Sequence, residues 1–476
     1  MLFNTFQFAG FFALVYGLYL YFGHKNQNRL LLLSSYLFYG AWDYRFLSLI
    51  LISTCVDYFC GLRIEAARNQ RQKRAFWLLS VGANLSILGY FKYFDFFVTE
   101  FVVLAQLLGF NFNYDSLSIV LPVGISFYTF QTMSYSIDIY RGDMKPTRRF
   151  FDFALFVAFF PQLIAGPIER ARNLLPQIIG ERTVTLEKFY EGSYLIFWGL
   201  FQKVFIADNL ARIVDPVFEA GANPTGVQVL IALYAFAFQI YCDFAGYSNM
   251  ARGLAKVMGI ELTVNFNLPY MSTNPEVFWR RWHITLSDWI RDYVFLPLFI
   301  VFRNYGRLGM LAATFVTYTL IGLWHGAAVN FVLWGVFHAV VFGAYQLLKP
   351  TLSSVYAAGG AGFSRLMFPV NLAFYFHITV LSLILFRSTS VDQLILLTNQ
   401  LFFSFELSSI DMEAFKRLIF FTWFLLLVQF FQYRRDDLLF ILKVPAPVRA
   451  LFYLVCFYSL VIYGDSDGQA FIYFQF

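Results

Sequence analysis

Long apolar runs with almost no charge recur along the chain, among them Phe46 to Ile64, Gln228 to Tyr247, Phe368 to Leu385 and Leu451 to Tyr463. The longer ones approach the about 20 residues that a helix needs to cross a bilayer, and together they are too many for one water-soluble core. The pattern predicts an all-α polytopic membrane protein with roughly 11 spans. Met1 to Gly23 is expected to be a retained first span, because it has neither a basic leader nor a small-residue cleavage site.

Polar clusters between the runs set an expected orientation, since cytoplasmic loops carry excess Lys and Arg. Arg63, Arg68, Arg71, Lys73 and Arg74 form one cluster, Arg141, Lys145, Arg148 and Arg149 a second, and Arg434, Arg435, Lys443 and Arg449 a third. All three are placed inside. The acidic loop with Asp208, Asp215 and Glu219, and the tail with Asp465 and Asp467, are placed outside. An even number of crossings must then separate the first two clusters, so Phe94 to Phe110, interrupted by Asp95 and Glu100, is expected to lie on the outer face. Phe150 to Ala165, short and interrupted by Pro161, is expected to be re-entrant. Non-helical backbone at membrane depth survives only where protein or water satisfies it.

Composition agrees with this reading. The chain of 476 residues is 59% hydrophobic, 21% aromatic and 13% charged, against about a quarter charged in soluble domains. The four cysteines, Cys55, Cys60, Cys242 and Cys456, lack metal-site spacing and read as small buried hydrophobes. No metal is expected, and neither the motifs nor the modest formal charge of +6 suggests nucleic acid. GxSxG, HExxH and Walker-type sequences do not occur, which removes support for the standard hydrolase, zinc-protease and nucleotide-hydrolase classes.

Two stretches carry candidate chemistry. In "FWRRWHITLSDWIRDY", Phe278 to Tyr293, a helical period puts Phe278, Trp282, Leu286, Trp289 and Tyr293 on one face and Arg280, His283, Ser287 and Arg291 on the opposite one. Arg281, Asp288 and Asp292 fall between the faces, where they would neutralise one another. Thr273 or Asn274 would cap this helix, with Pro275 in its first turn. Such a helix suits an interfacial position among membrane lipids. It equally suits an inner opening at which arginines hold a phosphate-bearing ligand. The second stretch, "GLWHGAAVNFVLWG", puts His325 in an uncharged region from Leu308 to Leu347. A histidine at membrane depth is either a functional group near its working pKa or a hydrogen-bonded link between helices. His24 reads as solvated, and His338 and His377 read as interhelical hydrogen-bonding residues.

These stretches, with 41 residues between His283 and His325, occur with "GYFKYFDFF", "LPVGISFYTFQTMSYSIDIYRG", "FFPQLIAGPIER", "KVFIAD", "YCDFAGYSNMARGLAKVMGIELTVNFNLPY" and the ending "FIYFQF". In this order they resemble the membrane-bound O-acyltransferase family, in particular its bacterial branch that acetylates exopolysaccharides such as alginate. The resemblance covers nearly the whole chain. It implies a single membrane domain over 1–476, a helical bowl with re-entrant segments and a central tunnel, a cytoplasmic catalytic region at 248–307 and a mid-membrane histidine region at 308–347. The family's catalytic histidine corresponds to His325 and its second histidine to His283. The sequence departs from the expected pattern at Cys242, Ala245 and Asn249, where an aromatic residue, a serine and an aspartate are expected.

The resemblance also implies a bacterial inner-membrane enzyme that takes acetyl groups from cytoplasmic acetyl-CoA to an extracytoplasmic polysaccharide, directly or through a periplasmic partner. That partner would dock on loop 388–417 or segment 94–110. In this reading Arg280, Arg281, Ser287 and Arg291 hold the coenzyme. His325 acts as general base or transient nucleophile, and His283 orients the thioester or relays a proton. Tyr241, Asp243, Trp324 and Asn330 are cavity candidates. Two alternatives stand beside it: D-alanyl transfer to teichoic acid from a carrier-protein thioester, and a membrane transporter with intramembrane histidines.

Overall fold

The structure is a computed structural model that describes the whole chain except residues 111–113, 115, 118, 465–470 and 473–476. Among the described residues all regular secondary structure is helical, the form that satisfies backbone polar groups inside lipid without a closed barrel. Six helical stretches are long and apolar enough to cross a membrane: His24–Ala66, Gly226–Val257, Ile284–His325, Val329–Arg387, Ser409–Arg435 and Ala446–Tyr463. Their outward faces carry large apolar side chains; on the last, Leu451, Val461 and Ile462 are all more than half exposed, as lipid-facing residues should be. The protein is a multi-pass membrane protein.

The count of long stretches is lower than the expected number of spans because single stretches contain more than one helix. His24–Ala66 is interrupted by a tight turn at Tyr44–Phe46. Val329–Arg387 is 59 residues long, about 88 Å at 1.5 Å per residue, and changes direction at Gly360, whose φ of 68° only glycine adopts readily. Phe94–Leu107 is helical and continues from Gln70–Leu88 through a π-helical turn at Gly89–Tyr93. The segment expected as loop 388–417 is largely helical, with Val391–Phe403 followed by a capping box in which Ser408 and Asp411 open Ser409–Arg435.

The chain divides into two compact units. The first comprises Met1–Ile196 with Met250–Thr263. Its buried centre is the segment expected to be re-entrant: Phe150–Ala158 ends at Phe159, where the backbone leaves helical geometry, and Phe160–Leu163 follows as a single turn. Phe153 to Phe160 are all buried. Gln131 and Gln162 both donate to the carbonyl of Phe156, at 2.6 and 2.9 Å, and Ser35 accepts the N–H of Phe160 at 3.1 Å, so side chains satisfy the broken backbone. Asp57 in this unit is buried and accepts hydrogen bonds from Ser80 and, at 2.8 Å, from Asn84. His24, expected to be solvated, instead contacts the carbonyl of Ile178 through Nε2 at 2.9 Å.

The second unit comprises Phe197–Asn249 with Val264–Phe476. Lys203 lies in it as a buried cation, 2.8 Å from Asp208 and 2.6 Å from Asp243, and the other Asp243 oxygen accepts the N–H of Ile472 at 2.6 Å. Asp243, a cavity candidate from sequence, thus ties the end of the described chain to the Gly226–Val257 helix. Nearby in sequence to His325, Gly306–His325 packs against the start of Val329–Arg387 through Gly322 and Gly335. A Cβ at Gly322 would strike the Phe331 carbonyl, and one at Gly335 would strike the Tyr318 carbonyl. Small residues here let the two backbones touch, which fixes where His325 sits against the second helix.

Two stability predictions follow from this packing. Gly335→Ala should destabilise the detergent-solubilised protein by roughly 1–3 kcal/mol, while Gly343→Ala, which meets only a Leu311 methyl group, should leave the thermal midpoint almost unchanged. Lys203→Met should lower stability by about 3–5 kcal/mol, because it strands two buried carboxylates; thermal melting of the purified variants measures both.

Candidate active site

The stretch expected to form one amphipathic helix is broken at its histidine. Asn274 caps Pro275–Trp279 through the N–H of Val277 at 3.0 Å, with Pro275 as the first helical residue, as expected. The helix then stops, His283 takes left-handed backbone angles (φ 42°, ψ 54°), and Ile284–Ile290 starts afresh. Arg280, His283, Ser287 and Arg291 therefore do not share a face. The break turns His283 inward, and a positive φ at a non-glycine residue is the kind of strain that clusters at functional sites.

His283 is buried and its position is set by Asn265. Asn265 Oδ1 accepts the N–H of Thr285 at 3.3 Å and its hydroxyl at 2.9 Å, while the Asn265 carbonyl accepts the N–H of Ile284 at 2.9 Å. Because Thr285 N–H can only donate, the amide oxygen is the atom facing His283, and the 3.1 Å contact to Nδ1 assigns the proton to that nitrogen. Burial pushes the imidazole down to about 3, so it is neutral, with its lone pair on Nε2.

His325 ends Gly306–His325, and the non-helical residue Gly326 follows it. An aromatic row joins the two histidines. The Trp324 ring lies 5.9 Å from His283 and 4.8 Å from His325; Trp334 lies 5.0 Å from His325 and 4.5 Å from His338. His325, His338, Trp334, Trp282, Tyr270 and Phe386 line a buried cavity of about 20 Å³, enough for one water-sized group. His283 lies behind Trp324 and is not among the residues lining this cavity.

The other sequence candidates divide into those near this row and those used elsewhere. Tyr241 is buried beside Tyr270 and Trp282, its hydroxyl accepting from Gln429 at 2.8 Å. Asn330 holds the carbonyls of Leu385 and Ser388 at 3.3 and 2.7 Å, a link within the second unit. Ser287 donates to the Trp282 carbonyl at 3.2 Å. Arg291 is paired with Asp288 at 2.6 Å and Asp292 at 2.7 Å, taking the carboxylates that sequence reasoning assigned to Arg281. Arg281 instead lies over the Tyr433 ring at 5.7 Å and donates to the Asn267 carbonyl at 3.3 Å. Arg280 and Lys349 share Glu276, each at 2.6 Å, leaving that exposed group with one net positive charge.

Two further histidines differ from expectation. His377 contacts the carbonyl of Ala373 on its own helix at 2.6 Å rather than a neighbouring helix. His338 has no hydrogen bond on either ring nitrogen among the described residues, so it is not an interhelical link. Sequence reasoning also missed Asn265, whose only signal is an amide side chain in an apolar stretch, and Trp334, whose spacing of four from His338 puts both on one helix face. Among the described residues no three His, Cys, Asp or Glu side chains converge as metal ligands.

Comparison with known proteins gives this arrangement a context. A model of the membrane-bound O-acyltransferase family, MBOAT, matches residues 145–386. The probable alginate O-acetylase AlgI of Pseudomonas putida is 40% identical over 390 residues, covering 82% of this chain and 77% of that protein. Peptidoglycan O-acetyltransferase of Helicobacter pylori is 34% identical over 349 residues, covering 66% of this chain and 64% of that protein. Teichoic acid D-alanyltransferase of Bacillus subtilis is 30% identical over 236 residues, covering 48% and 59%. The helical membrane architecture, the family match across both histidine segments and the extent of these similarities show that the chain belongs to the membrane-bound O-acyltransferase family and is an acyltransferase.

Proposed function

We propose that this enzyme moves acetyl groups from cytoplasmic acetyl-CoA through the bacterial inner membrane to O-acetylate an extracytoplasmic polysaccharide, directly or through a periplasmic partner. The observation that carries the reading is His325 at a helix end, lining a buried cavity, on a chain similar to alginate and peptidoglycan O-acetyltransferases over more of its length than to a teichoic acid D-alanyltransferase. The greater similarity favours acetyl over D-alanyl transfer and alginate-like or related glycans as acceptors.

The chemistry follows from the residues present. The thioester's acyl carbon is attacked by an acceptor hydroxyl while His325 takes the hydroxyl proton as general base. The new C–O bond forms, the C–S bond breaks, and the proton leaves His325 for the departing sulfur, which is released as a thiol. His283, neutral and held by Asn265, positions rather than titrates. For the anionic coenzyme, Arg280 with Lys349 and the stacked Arg281 supply donors suited to phosphate. Arg291, already flanked by two carboxylates, contributes least, and Ser287 supplies a hydroxyl nearby. A partner that collects acetyl groups would meet the exposed apolar side chains Phe402, Phe403, Phe405 and Leu407.

Acetyl transfer from labelled acetyl-CoA, measured in membranes, should fall roughly 10²–10⁴-fold in His325→Ala; unchanged transfer removes His325 from the mechanism. Replacing acetyl-CoA by a D-alanyl carrier-protein thioester should give no transfer, and the reverse preference would move the enzyme to the other branch. His283→Asn should lower the plateau of the pH–rate profile without moving its midpoints between about pH 5 and 8, because an imidazole depressed to about 3 does not titrate there. Loss of an acid limb in that variant would assign His283 a proton-transfer role instead.

A further inference from the structure

His338 sits on the same face of Val329–Arg387 as Trp334 and lines the cavity that His325 lines. The side chain is buried, and among the described residues neither of its ring nitrogens has a hydrogen-bond partner. A neutral imidazole carries one N–H donor and one acceptor, and leaving them unmade in a buried site is unfavourable because neither water nor protein then satisfies them. The groups around it have the same unmet need. The indole N–H groups of Trp334 and Trp279, 4.5 and 5.3 Å from the His338 ring by centroid, also lack partners among the described residues. These indoles can only donate. The three hydroxyl groups of the cavity have spent their hydrogens, Tyr270 on the Ala237 carbonyl, Thr379 on the Tyr375 carbonyl and Ser382 on the Thr379 carbonyl, so their oxygens are left only as acceptors.

The donors left unspent at this cavity are therefore the N–H groups of His338 and Trp334, with space for one oxygen-sized group beside the imidazole already assigned as general base. We propose that His338, with the indole N–H of Trp334, binds the carbonyl oxygen of the donor's acyl group and stabilises the oxyanion that develops on it as the acceptor hydroxyl attacks. The inference rests on the acyl-transfer reading of His325. It assigns His338 a contact with the reacting oxygen and gives the cavity its polarity: His325 receives the proton while the donors opposite receive the charge. Donors aimed at a developing oxyanion in a water-excluded site are among the largest contributors to acyl-transfer rates.

The test compares His338→Phe, which removes the donor and fills the cavity, with His338→Gln, which keeps an N–H, alongside His325→Ala in the same membranes. The expected result is a loss of kcat of roughly 10²–10³-fold in His338→Phe, little change in KM, recovery of about tenfold or more in His338→Gln, and a thermal midpoint near that of the wild type. A second measurement applies even if His338→Phe does not fold: infrared spectroscopy of acetyl-CoA carrying ¹³C at the acetyl carbonyl, bound to the wild type. The carbonyl band should move to lower frequency than in solution, move back in His338→Phe and keep part of its shift in His338→Gln. An unshifted band in the wild type overturns the proposal, as does wild-type kcat in His338→Phe. Equal losses in both His338 variants with a lowered melting point would show that the imidazole holds a structural water instead. If His325→Ala also keeps full transfer, the acyl-transfer reading itself fails; if His325→Ala is inactive while His338→Phe matches the wild type, only the role of His338 falls.

Discussion

A polar side chain held inside a bilayer has no bulk water to turn to, so each one must find its partner in the protein or in what the protein binds. Asp57 finds Ser80 and Asn84, and Lys203 finds two aspartates. These groups are structural or positioning because their needs are met. His338 and Trp334 are different: they line one cavity with donors left over among the described residues. The same constraint therefore separates residues whose polar groups are spent within the chain from residues whose donors are left over.

The position of that cavity depends on close backbone contact. Gly322 and Gly335 bring the end of Gly306–His325 against the beginning of Val329–Arg387, and this contact sets the His325 ring against Trp334. A larger residue at either glycine would separate the two helices before it touched the imidazole. The left-handed turn at His283 performs a comparable task, since an unbroken helix would have carried that side chain round with Arg280 and Arg291. Mechanism here follows from where helices stop as much as from which residues they carry.

Much of the fold was legible because lipid imposes a simple pattern. Long uncharged runs mark spans, the Asn274–Pro275 pair marks a helix start, and Pro161 in a short apolar segment marks a buried break near Phe159. Periodicity failed at Phe278 to Tyr293 because a helical wheel assumes that the helix continues. Nothing local forbids continuation there; the Asn265 side chain and backbone, eighteen residues upstream, hold the turn. The candidate residues Asp243 and Asn330 make a related point, since both find partners within the chain. A polar residue in an apolar run signals that a partner exists, without saying whether the partner is a substrate or another part of the chain.

The sequence by itself determined the class of protein and the identity of the two histidine segments, because apolar run length and the order of short motifs are properties of the chain alone. Which polar groups share a cavity was decided only in three dimensions. His325, Trp334 and His338 meet because two glycines let helices touch, and Arg291 rather than Arg281 meets the carboxylates because the helix breaks before it reaches them. Hydrogen bonds and charges act over a few ångströms, and distances of that size between residues far apart in the chain exist only once the backbone has folded.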